Sequence, residues 1–208
     1  MKIEEYQALA MRTSPDGHDR VLNGCMGLIG ESGEVVDVVK KWKFQSGDHA
    51  QLPREKLIDE CGDVLWYCAE LATGLNDKLA DLMKQCGEDF YNDMHEPNKE
   101  TPIEILAGRL SVVASMPFTE LFDPSLDEED VPYLSTKQMP PELRESVTAA
   151  WQKANAKANI VGIVITVTDF LELYCRSTLE EAMEHNIEKL RRRYPDGFDP
   201  ERSLHRTG

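Results

Sequence analysis

The sequence predicts an all-α helical bundle, and three observations carry that prediction. Apolar residues recur at helical spacing in successive windows, as in Leu28, Val35, Val39 and Trp42 or Leu57, Cys61, Val64, Cys68, Leu71 and Leu75. The breaks between windows fall at Pro and Gly, which punctuate helices. No candidate strand has an evident partner strand. With 208 residues and 41% hydrophobic composition, the chain suits a single domain, 1–208, that can bury a core.

The elements follow in order. Residues 2–13 form a short amphipathic helix on Ile3, Tyr6, Leu9 and Ala10, ended by Ser14-Pro15-Asp16-Gly17. A second helix begins near His18–Val21 and runs to about Phe44. Gly24, Gly27, Gly30 and Gly33 recur every third residue within it. Each lowers helix propensity by about 1 kcal/mol relative to Ala, which implies close approach of a helix or ligand. A third helix starts around Arg54 and reaches Thr73 or beyond. Lys78–Phe90 is helical again, and a polar linker begins near Asn92. Ile103–Ser115 forms a short helix. Pro117–Pro141, with its prolines and the acidic run Asp127-Glu128-Glu129-Asp130, reads as a long excursion with little regular structure. Glu142–Arg176 is a long helix, although its stretch IVGIVITVTDFLEL is β-branched enough to pass locally for a buried strand. The last helix, Thr178–Tyr194, has Ser177 or Thr178 as N-cap, acids in its first turn and Arg191–Arg193 in its last.

Composition excludes several function classes. A formal charge of −15 opposes nucleic-acid or anionic-membrane partners, which require a basic surface. An anionic small substrate stays open where local cations meet it. The start MKIEEYQALAMRTSPDG is charged and lacks an apolar signal-peptide core. The closest approach to a membrane span, Ile160–Val167, is too short. Five cysteines without a CxxC fit a reducing, cytoplasmic setting and read mainly as small core residues.

The chemistry lies in two acidic pairs, Glu31-Ser-Gly-Glu34 and Glu60-Cys-Gly-Asp63. Residues three apart share a helix face, so each pair presents two carboxylates side by side. Two such helices laid together gather four acids, an arrangement suited to a hard divalent cation with oxygen ligands. No histidine lies within a turn of them, which disfavours zinc, and the Glu-x-x-His pairs of a di-iron bundle are missing. Mg²⁺ is the expected ion, with Mn²⁺ as a substitute. A solvated acidic face is the plain alternative, since Glu-x-x-Glu is common on helix surfaces.

The run GLIGESGEVVDVVKK followed by DECGDVLWY resembles the MazG-type all-α nucleoside triphosphate pyrophosphohydrolases, as do EYQALAMRT near the start and NIEKLRRRYPDGF near the end. The resemblance implies a Mg²⁺-dependent cleavage of the α–β phosphoanhydride of an NTP or dNTP to the monophosphate and pyrophosphate. It places Glu31, Glu34, Glu60 and Asp63 as catalytic magnesium ligands, and Tyr67, Asn186 and Lys189 as contacts to the nucleotide. Lys40 and Lys41 match a basic pair after the first motif. His18 and Asn23 stand where they could reach a base pocket. Trp42 fits core packing better than base stacking, and Trp66 fits either. Arg192 and Arg193 are weaker candidates, because a helix C-terminus favours cations in any case.

The chain departs from a compact member of that family. NIEKL arrives about a hundred residues later than expected, so 88–173 reads as an inserted or extended helical segment that leaves open which chain's site Asn186 and Lys189 complete. An intrachain extension within a homodimer is expected. Two other functions compete: hydrolysis of a related pyrophosphate such as an alarmone, and a non-catalytic acidic helical interaction module.

Overall fold

Helical periodicity becomes helix throughout the computed structural model, which describes residues 1–47, 49–85, 101–123 and 140–201. Among the described residues there is no strand. Helix α1, Ile3–Ala10, tightens into a 3₁₀ turn at Met11–Thr13. Helix α2 spans Arg20–Gln45, and the Asp19 carboxylate caps it by accepting from the Val21 and Leu22 N–H groups at 3.0 Å. Two otherwise orphaned donors are thereby satisfied. Helix α3 is Arg54–Gly74, α4 is Leu79–Gln85 and α5 is Ile103–Phe122. Helix α6, Pro141–Phe170, widens into a π-helical turn at Leu171–Cys175. Arg176, in the left-handed region at φ 56°, then redirects the chain into α7, Leu179–Arg193.

Helices α2 and α3 form a hairpin, with α5 against α2, α6 against α5 and α3, and α7 against α3 and α1. The stripes on α2 and α3 face inward: Leu28, Val35 and Val39 are buried, as are Leu57, Cys61, Val64, Cys68, Leu71 and Leu75. The β-branched stretch of α6 is buried as well, including Ile160, Ile163, Val164 and Val167. Burial on several sides overrides its strand propensity, because packing rather than local preference decides a helix this enclosed.

Two expectations need correction. Helix α5 continues past Ser115 to Phe122, so Pro117–Phe122 is helical rather than irregular. Pro117 forfeits one helical hydrogen bond, but it is buried, Phe118 and Leu121 pack on the core, and the Phe118 and Phe122 rings meet at 5.3 Å. Those contacts offset the lost bond. Second, α5 and the stretch Leu143–Cys175 are long and apolar enough to cross a bilayer by length and mean hydropathy, 1.3 and 1.5. The sequence reading missed this by looking for uninterrupted apolar runs. Just over half of the most apolar window in Leu143–Cys175 is buried, as in a core helix of a globular bundle.

The acidic run Asp127–Asp130, the end of the helix expected at 78–90, the linker from Asn92 and Cys86 lie outside the described residues. The other four cysteines are buried and unpaired.

Candidate active site

The α2–α3 hairpin brings three of the four predicted acids together. One carboxylate oxygen each from Glu31, Glu60 and Asp63 lies within 4.8 Å of the others. All three side chains are half-buried, whereas Glu34 is exposed and outside the trio. Burial raises the Glu31 carboxyl from its ordinary 4.5 to about 7, with Asp63, Glu60 and Glu34 adding repulsion against the pull of Lys189. Glu60 moves up for the same reasons: burial first, then Asp63 and Asp59, with Glu34 contributing and Lys56 opposing. Glu34 is therefore near enough to be felt by both. Three carboxylates this close, with Glu31 and Glu60 in surroundings that penalise their ionisation, form a hard, all-oxygen donor set that fits Mg²⁺ or Mn²⁺.

Helix α7 holds one edge of the trio. Its start is fixed by a reciprocal capping box, Thr178 with Glu181. From that start, Asn186 and Lys189 fall on the face turned to α3. Asn186 donates through Nδ2 to Asp63 Oδ1 at 3.0 Å, and Lys189 Nζ donates to Asp63 Oδ2 at 2.8 Å. Lys189 also reaches Asp59 at 2.6 Å. Tyr6 completes the set from α1, its hydroxyl donating to Asn186 Oδ1 at 3.0 Å. Both Asn186 and Lys189 belong to the same chain as the trio and are buried. The glycine inside the second pair makes this possible: a Cβ on Gly62 would sit 3.0 Å from that of Asn186. Gly33, inside the first pair, faces open space, as does Gly30. The expected close approach holds instead at Gly24, beside Leu71, and at Gly27, where a Cβ would fall 2.1 Å from the Tyr67 ring.

A cleft of about 200 Å³ opens beside the trio. Glu31 and Asp63 line it, and Thr13, Pro15, Asn23, Trp66, Tyr67, Tyr194 and Phe198 complete most of its wall. Trp66 and Tyr67 meet edge to face at 4.8 Å, and Tyr194 and Phe198 stand 5.9 Å apart. These rings, set among polar and charged side chains, suit a flat heterocycle. A shallower depression on the other flank is lined by Lys56, His185, Lys189, Arg192 and Arg193 together with Glu55 and Asp59. Arg193 borders both spaces.

Of the remaining predicted residues, Asn23 reaches the cleft, and Lys40, Lys41, His18 and Trp42 do not. Lys40 and Lys41 both pair with Asp37 on the outer face of α2. His18 turns to Glu70 rather than into the cleft. Trp42 packs on the core and donates to the Ala50 carbonyl at 2.9 Å. Sequence reasoning passed over Asp59, Tyr6, Thr13, Pro15, Tyr194 and Phe198. Asp59 precedes Asp63 by four residues, a spacing that lets one lysine bridge both. Tyr194 and Phe198 are likewise four apart, but they stand where the helix has ended and periodicity carries no signal.

Comparison with known proteins bears on this site directly. Residues 22–86 match the family model of the MazG nucleotide pyrophosphohydrolase domain. The Gene 37 protein of Mycobacterium phage L5 is 46% identical over 61 residues, which cover 29% of this chain and 54% of that protein. The chain thus spans about half the length of this curated relative. No solved structure matches the chain. The hairpin that carries all four acids is, over residues 22–86, a match to the MazG nucleotide pyrophosphohydrolase family.

Proposed function

We propose that this protein is a Mg²⁺-dependent nucleoside triphosphate pyrophosphohydrolase that cleaves the α–β phosphoanhydride of an NTP or dNTP. The observation that carries the reading is the convergence of Glu31, Glu60 and Asp63, of which Glu31 and Asp63 also line a cleft walled by aromatic rings. Keeping acids half-buried side by side destabilises a fold unless a cation meets them. That cost supports an ion-binding use over a solvated interaction face.

Glu31, Glu60 and Asp63 would hold the ion. Bound there, Mg²⁺ would neutralise charge on the polyphosphate and lower the pKa of a coordinated water. The chain's own residues do the rest. Tyr67, Trp66 and Phe198 enclose the base, and Asn23 offers it an amide. Lys189 and Asn186 hold Asp63 in place through hydrogen bonds to its two oxygens, while the basic flank with Lys56 and Arg192 suits the outer phosphates. In the reaction a water oxygen bonds to a phosphorus of the α–β anhydride and the bridging P–O bond breaks. The water's proton passes to a carboxylate. Glu34, exposed and within electrostatic reach of Glu31 and Glu60, is placed to take it. The products are the nucleoside monophosphate and pyrophosphate. Four buried, unpaired cysteines support work in a reducing compartment such as the cytoplasm, and a homodimer is part of the same proposal.

The test is release of pyrophosphate across the common NTPs and dNTPs with Mg²⁺, for wild type and Glu60→Gln. At least one nucleotide should yield equal amounts of monophosphate and pyrophosphate. The variant should lose more than the roughly 100-fold that removal of an outer metal-site partner costs. Absence of pyrophosphate from every nucleotide, or an unimpaired variant, sinks the proposal.

A further inference from the structure

Glu70 is fully buried and is neither part of the acid trio nor on the wall of the cleft. It lies on α3 one turn beyond Trp66 and Tyr67. A carboxylate in such a place is tolerated only when other groups satisfy it. Among the described residues its partners come from the segment joining α1 to α2 and from the first residue of α2. Ser14 Oγ donates to Oε1 at 3.2 Å, His18 Nε2 stands against the same oxygen, and Arg20 Nη1 lies 3.6 Å from Oε2. Three side chains within seven residues of sequence thus converge on one buried acid.

The same segment is tied a second time, one turn earlier on α3. Trp66 Nε1 donates to the Ala10 carbonyl and to Thr13 Oγ1, both at 3.1 Å. Thr13, held by Trp66, and Pro15, next to the Ser14 held by Glu70, line the cleft together with Tyr67 and Phe198. Gly17, at φ 73°, provides the reversal that brings His18 back to Glu70. Between the 3₁₀ turn at Met11–Thr13 and the start of α2 the chain has no helical hydrogen-bond ladder, so its position there rests on these two anchors.

We infer that Glu70 is a positioning residue: it straps residues 13–20 onto α3 and so fixes the wall of the cleft that receives the nucleoside, with no part in binding the phosphates. The inference rests on the functional reading given above. It assigns the anchor a selective effect. Loosening the strap weakens recognition of base and sugar and leaves the acid trio, held from α7 by Asn186 and Lys189, as it was.

Two measurements on the full chain decide it, using Glu70→Gln, which keeps the shape but removes the charge, and the pair Ser14→Ala with His18→Ala, which leaves α3 untouched. The first is limited trypsin cleavage after Arg12 and Arg20. Both variants should be cut about tenfold faster there when cleavage is run well below each variant's own melting midpoint, so that local opening alone is read. Unchanged cleavage overturns the strap whatever else is found. The second is calorimetric binding, with Mg²⁺, of the preferred nucleotide and of inorganic tripolyphosphate. Nucleotide affinity should fall about tenfold, the worth of one charge-assisted hydrogen bond, and tripolyphosphate affinity less than about twofold. In turnover the loss should appear in KM rather than kcat. An equal loss for both ligands marks Glu70 as merely structural and overturns the inference, as does nucleotide affinity left intact. A wild type that binds tripolyphosphate but no nucleotide instead overturns the reading of the cleft itself.

Discussion

On α3, Glu60 and Asp63 sit opposite a helix that supplies an amide and an ammonium, and Asp63 is held at both oxygens. On α2, Glu31 and Glu34 have the same three-residue spacing and no such hydrogen-bonded partner among the described residues: Glu31 is half-buried with its carboxyl raised to about 7, and Glu34 is exposed. The glycines inside the two pairs differ in the same sense, since Gly62 is pressed against Asn186 and Gly33 faces open space. One spacing has therefore been put to two uses. The α3 pair is a preorganised half-site, whereas the α2 pair is a half-site whose Glu31 is held back from ionising until a counter-charge arrives. Preorganisation on one side lowers the cost of gathering ligands, and the unpaired side makes affinity depend on ionisation.

The largest effect should come from dismantling the ordered half. Lys189→Met keeps the buried stem but removes the charge shared by Asp63 and Asp59. Hydrolysis should fall roughly 10–100-fold, the usual cost of losing an outer partner of a metal ligand. The fall should be accompanied by weaker Mg²⁺ binding in a metal titration. If metal affinity is unchanged, the ammonium does not organise Asp63 and the contrast between the pairs is empty.

Next in size is a substitution at the seam between the two helices. Gly27→Ala places a methyl about where the Tyr67 ring now lies, so the ring must move out of the cleft wall. A misplacement of about 1 Å can cost up to roughly 100-fold in a positioned site. Here we expect raised KM for nucleotide and little change in Mg²⁺ affinity. Gly30→Ala, in open space on the same helix, is the control and should stabilise by about 1 kcal/mol. Equal behaviour of the two variants in KM would show that the glycine pattern has nothing to do with the cleft.

The waiting half-site should reveal itself through pH. An acid whose folded pKa lies above its unfolded value holds its proton more tightly when folded. The metal-free protein should therefore lose stability as pH rises from about 4.5 through about 7, the window of the Glu31 shift. Mg²⁺ supplies the missing counter-charge, so it should raise the melting midpoint more at about pH 8 than at about pH 5.5, with proton release on binding. The Glu31→Gln variant should flatten both trends. A metal response independent of pH would place the ion elsewhere.

These contrasts also mark how far the sequence could be read. Helix existence, the inward stripes and the acidic pairs were legible because each depends on spacing along one helix, and spacing is what a sequence displays. The extension of α5 through Pro117 was not, since the local rule against Pro is outweighed by Phe118 and Leu121 packing on residues distant in the chain. Asn186 and Lys189 were legible only as a motif; that they close on Asp63 of the same chain is decided by how α7 docks on α3. Lys40 and Lys41 illustrate the reverse. Their neighbour Asp37, three and four residues earlier, takes both at the surface, and the i, i+3 and i, i+4 rule could have indicated it.

The smallest effect tests whether the ordered half owes its order to the start of α7 or to its partners in the core. Thr178→Ala removes the side-chain oxygen that accepts from the Glu181 N–H and opens the capping box. Such caps are worth about 1 kcal/mol, and the melting midpoint should drop accordingly. Asn186 and Lys189 lie two to three turns further on, where Tyr6, Asp63 and Asp59 hold them directly. Fraying at the first turn should not reach them, so hydrolysis measured well below the melting midpoint should match wild type. A loss of activity comparable to that of Lys189→Met would mean that the register of α7 is set at its N-terminus, and that the preorganisation of Asp63 belongs to the helix cap rather than to the buried pair.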